Sequence, residues 1–120
     1  MPPKTSPAVQ FLPLAPLDFQ LLTLLAGGEL HGYGMVQAAA KAFPDQPGLE
    51  IGSLYRIINR MLDDRLIREV DHPHGETGDR RVRRYYALTA LGRAVGRAET
   101  ERLRALLAHP ATLKLLGARR

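Results

Sequence analysis

In "IGSLYRIINRMLDDRLI" (residues 51–67), the polar residues Ser53, Arg56, Arg60 and Asp63 recur three or four positions apart. That spacing sets them on one side of a helix, with Asn59 beside them. An arginine can grip a guanine edge with two hydrogen bonds, an asparagine can do the same for adenine, and a serine near a helix N-terminus can hold a phosphate. Tyr55 can either pack beneath such a helix or offer its hydroxyl to a phosphate. A second concentration, "DRRVRRYY" at 79–86, holds four arginines and two tyrosines. In an extended chain the side chains alternate, so Val82, Arg84, Tyr86 and Leu88 share one face and Arg81, Arg83 and Tyr85 the other. Valine, tyrosine and leucine mark the first face as the core side, which makes Tyr86 a packing residue and leaves Arg84 in need of an acidic partner. Arg80, at the turn, and Arg81 and Arg83, on the outer face, suit phosphate contacts.

Other chemistries fit poorly. "HPHG" places His72 and His74 two apart, but without cysteine or a third ligand at evident spacing it reads as a turn, whose histidines could face DNA; no metal or cofactor is expected. No nucleophile with a base and no paired carboxylates are visible, so an enzyme is not expected. The absence of cysteine also fits a cytoplasmic protein. The longest apolar stretch is broken by prolines and Asp18, which argues against a membrane span. Charge is unevenly divided. Residues 1–50 carry two Lys/Arg against four Asp/Glu, whereas residues 51–120 carry fifteen against eight, fourteen of the fifteen being arginine. The positive field is therefore confined to the second half, in the side chain best shaped for phosphate and guanine.

These groups must be positioned by a small frame, since 120 residues bury one modest core. The proline-rich residues 1–14 read as a flexible N-terminal arm. Leu17, Leu21, Leu24 and Leu25 have helical spacing, ended by Gly27-Gly28, which predicts a first helix over 16–26. A second helix, about 32–43, is expected to bury Val36, Ala39, Ala40 and Phe43 and to stop at Pro44. The third carries Leu54, Ile57, Ile58, Met61 and Leu62 inward, with Ser53 placed to cap its start. A two-stranded hairpin with a loop near 72–79 follows. A long last helix starts at a Thr89 cap, is weakened by Gly92 and Gly96, and ends at Pro110. Three helices, two strands and a long helix are the order of a winged helix-turn-helix: mainly α with a small β-hairpin, spanning 15–89. The third helix can then lie in a major groove while the hairpin reaches the backbone. The last helix (90–110) has a leucine stripe longer than so small a core can cover. We therefore expect dimerisation through Leu91, Val95, Leu103, Leu106 and Leu107, with 111–120 as a tail.

"LLTLLAGGELHGYGMVQ", "IGSLYRIINRMLDDRLI" and "RRYYALTALGR", in this order, resemble the three signature blocks of PadR-like transcriptional regulators over roughly residues 15–95. The resemblance implies a homodimer that binds a pseudo-palindromic operator on double-stranded DNA, usually as a repressor and often released by a small-molecule effector. With a single C-terminal helix the chain resembles the short branch. It departs from the family at Arg56, where a proline is usual, and at Arg65, where a glycine is usual and where arginine would need a costly left-handed backbone. It also has no tryptophan, the residue between which some short members stack planar drugs. The alternative of another class is a winged-helix protein-protein interaction module whose arginines meet an acidic protein.

Overall fold

The computed structural model describes residues 7–46, 48–71 and 84–117. Helix α1 (Pro16–Ala26) starts with proline at its first position, where the missing N–H costs nothing. Strand β1 (Leu30–His31) leads directly into α2 (Gly32–Ala42). His31 is the cap: its Nδ1 accepts the Gly34 N–H at 3.0 Å. Helix α3 (Ile51–Asp63) buries Leu54, Ile57, Ile58 and Met61 of the expected apolar row and leaves Leu62, its last member, half-buried against the core. Its start differs from expectation. The Leu54 N–H donates to the Glu50 carbonyl, so the helix is already under way at Ile51 and Ser53 lies inside its first turn rather than at the cap.

Strands β2 (Ile67–Val70) and β3 (Tyr85–Leu88) pair antiparallel, and β1 adds to the other side of β3. The sheet thus has three strands where two were expected. "LH" was too short to signal a strand, yet Leu30 pairs with Tyr86 and His31 with Tyr85. Helix α4 (Ala90–Ala108) begins at the expected Thr89, whose hydroxyl accepts the Gly92 N–H at 2.9 Å. His109 breaks the helix, and Pro110 opens a short α5 (Pro110–Leu113).

Leucines of α1, Met35 and Ala39 of α2, the inner row of α3, Leu66, Ile67, Tyr86 and Val95 form one core. On α2 the burial differs from expectation: Met35 takes the central position and Ala40 is exposed, because the helix turns its 35/39 edge to the core. Residues 7–14 also differ from the mobile arm expected of them. A 3-10 helix, Pro7–Phe11, buries Ala8, and Phe11, Leu12 and Leu14 pack on the core. The Leu14 N–H donates to Glu99 at 3.1 Å. Glu99 is only 2% exposed, and Arg102 grips it with two hydrogen bonds of 2.6 and 2.9 Å. First Arg102 and then the Leu14 N–H hold its carboxyl below the ordinary value, against the opposing effect of burial.

Glycine matters most at Gly92. A Cβ there would overlap the Leu66 backbone carbonyl, so the residue that costs helix propensity is what lets α4 dock on the chain leaving α3. The Thr89 hydroxyl completes that junction by donating toward the Arg65 and Leu66 carbonyls at 2.6 and 3.1 Å. Arg65 itself has φ +63°, the left-handed geometry anticipated at this departure from the family pattern.

Candidate nucleic-acid interface

Helix α3 presents its polar row outward. Arg56, Asn59, Arg60 and Asp63 are exposed and Ser53 is half-buried in the first turn. Arg56 and Asn59 make no ion pair or side-chain hydrogen bond among the described residues. Arg60 is different. Its Nη2 donates to the Asp18 carboxylate at 2.5 Å, tying the last turn of α3 to the first turn of α1. Each charge sits at the helix end whose dipole favours it. Sequence spacing on one helix could not reveal this partner, 42 residues away.

Tyr55 is exposed and lies over the start of α2: a Cβ on Gly32 would collide with its hydroxyl. On α2 itself, Tyr33 is 57% exposed, an aromatic hydroxyl that spacing arguments passed over. Its place in "HGYG", one residue past the start of α2, gave no periodic signal to find it by.

Strand β3 carries the wing. Tyr86 is buried, and its phenol is pushed above its ordinary value first by burial and then by the nearby Glu69 and Tyr55, while Arg84 opposes the rise. Arg84 stands just before the strand, 3.6 Å from Glu69. Glu69 is opposite Tyr86 and Ile67 opposite Leu88, so Arg84 and Glu69 share the core-facing side of the sheet where it runs beyond the core. Parity and charge are reconciled: the side is that of the core, and the place is outside it. Tyr85, on the other face, meets His31 edge-on with ring centroids 5.2 Å apart, joining the wing to the cap of α2. The remaining wing residues singled out by sequence, Arg80, Arg81, Val82 and Arg83 with His72 and His74, lie outside the described residues.

The proposed dimer residues separate into two groups. Val95 is fully buried in the chain's own core, because α4 turns that face onto α1, and so has no surface for a second copy. Leu91 and Leu103 are half-buried, Leu91 against the core, whereas Leu106 and Leu107 are exposed. Leu115 and Leu116, beyond α5, are 86% and 81% exposed, an apolar surface that sequence reasoning left in the tail. Between α1 and α4 runs a groove of about 250 Å³ with Phe19, Leu22 and Ala26 on one wall and Arg93 and Arg97 on the other. Among the described residues there is no cluster of three metal-ligating side chains, and no helix is long and apolar enough to cross a membrane.

Solved structures share this fold. A PadR-like transcriptional regulator from Bacillus cereus superposes with a TM-score of 0.68 at 19% identity, covering 86% of this chain and 93% of that one. A PadR family regulator from Clostridium difficile gives 0.64 at 21% identity, with 77% and 91% covered. Bacillus subtilis PadR, solved in complex with operator DNA, gives 0.62 at 20% identity over 70% of this chain. The match spans 47% of that longer protein, about half its length. No curated protein matches the chain. The transcriptional regulator PadR-like family model matches residues 21–98, from α1 through the first half of α4, and on that match the chain belongs to the PadR-like family.

Proposed function

We propose that this member of a family of transcriptional regulators is a cytoplasmic repressor that binds a pseudo-palindromic operator as a homodimer. The observation that carries this reading is α3: an apolar row turned into the core, with Arg56 and Asn59 outward and unspent among the described residues. Arg56 and Asn59 would read base edges, Arg60 would join them, and Ser53 and Tyr55 would settle the helix on phosphates. Arg80, Arg81 and Arg83 would clamp the backbone from the wing. The operator DNA bound by the Bacillus subtilis relative supports duplex DNA as the partner.

The second copy would dock along the outer half of α4, on Leu103, Leu106 and Leu107, and Leu115 and Leu116 extend that apolar surface. Two-fold symmetry would then place the half-sites about one helical turn, ~34 Å, apart. A small-molecule effector would need the second copy too. The α1/α4 groove, at about 250 Å³, is smaller than the roughly 300–1,000 Å³ of typical ligand pockets, so further walls would have to come from the mate.

A salt titration of binding to the DNA upstream of its own gene tests the reading. Selective binding that survives unrelated competitor DNA is expected, with affinity falling steeply as salt rises. Binding only to acidic protein, with no sequence preference on DNA at moderate salt, would replace it with the interaction-module alternative.

A further inference from the structure

The Asp18 carboxylate reaches the exposed polar row of α3 from another helix, α1. Its side chain is 15% exposed while that of Arg60 is 48% exposed, so the acid is seated in the protein and the guanidinium reaches outward from it. The contact is made through a single nitrogen, Nη2, to a single oxygen. A guanidinium has five N–H donors, so one bond to Asp18 leaves four, enough for the paired donation a guanine edge accepts. Arg60 also lies four residues after Arg56 on the same outward row.

An arginine held in this way has surrendered much of its rotamer freedom before any partner arrives, and that freedom would otherwise be lost on docking. A carboxylate at that point also disfavours a phosphate in the same place, since both compete for the same donors with the same charge. The geometry points to Asp18 as a specificity-determining residue of the DNA interface: from α1 it aims Arg60 at a guanine edge and keeps it from serving as a general phosphate contact. This rests on the DNA-binding reading above.

The experiment uses the full chain and DNA from upstream of its own gene, first footprinted and then varied one base pair at a time across the protected site. Asp18→Asn keeps the shape and removes the charge; Arg60→Lys keeps the ion pair and removes the fork. Both are checked by thermal unfolding, so that a loss of fold is not read as a loss of specificity. In the wild type, replacing one particular G·C pair per half-site should weaken binding about tenfold. Asp18→Asn and Arg60→Lys should each shrink that penalty to within about twofold, at that pair alone, and Asp18→Asn should tighten binding to unrelated DNA. If Asp18→Asn strengthens operator and unrelated DNA by the same factor while the G·C penalty persists, Asp18 is a mask over Arg60 and the inference fails. It fails equally if the wild-type protein is selective but neither variant alters base preference. A wild type with no base preference anywhere overturns the DNA-binding reading itself, and this one with it.

Discussion

Two single residues bear measurable consequences. Arg65 holds φ +63°, which costs an L-residue roughly 1–2 kcal/mol, and glycine there would remove the strain at some cost in unfolded-chain entropy. Arg65→Gly should therefore raise stability by about 0.5–1 kcal/mol, read from the urea midpoint at an unchanged m-value. Gly92 is the reverse case. Gly92→Ala adds a helix-favouring methyl that has to displace the Leu66 carbonyl, and overpacking of this kind costs roughly 1–3 kcal/mol, so the same assay should show a loss. The Arg65 geometry was legible only through the family resemblance, which implies a glycine at the position where this chain has arginine. The Gly92 contact was not, because a close approach between segments 26 residues apart leaves no local pattern.

Among elements, the three helices and the Thr89 cap could be read nearly to their ends, since buried rows three and four apart and proline stops are local signals. What escaped was set by pairing between distant segments. β1 exists only because β3 offers a free side, and the pairing of Arg60 with Asp18 depends on how α1 crosses α3. The division of labour expected between α3 and the wing can be measured at this level. Arg56→Ala should relax preference at particular base pairs, and Arg81→Ala should weaken all DNA alike and lower the salt slope by about 1. Equal effects from both substitutions would contradict the division. For α4, the double change Leu106→Glu and Leu107→Glu should leave the fold intact, since both side chains are exposed in the single chain. It should shift the protein to monomer in analytical ultracentrifugation and cut operator affinity steeply; a variant that stays dimeric would relocate the interface.

At the scale of the whole molecule, acid should act through Glu99. Its carboxyl is held below the ordinary value in the folded chain by Arg102 and the Leu14 N–H. The resulting stabilisation is fully present above the unfolded-state value, about 4.3, and is lost as pH falls through the lower folded-state value. Glu99→Gln, which cannot be gripped by Arg102 as an anion, should be less stable than wild type near neutrality, with the gap closing in acid; a gap independent of pH would assign Glu99 a role in packing alone. The same carboxylate has a consequence for the limits of the folding unit. The family match starts at residue 21, yet Ala8 and the Leu14 amide, both upstream, are built into the core and its buried acid. The segment packed into one core is therefore longer than the segment that defines the family. A fragment trimmed to 21–98 would strand α1 without its N-terminal turn and remove the Glu99 clamp, and it should exchange its core amides faster than the intact chain.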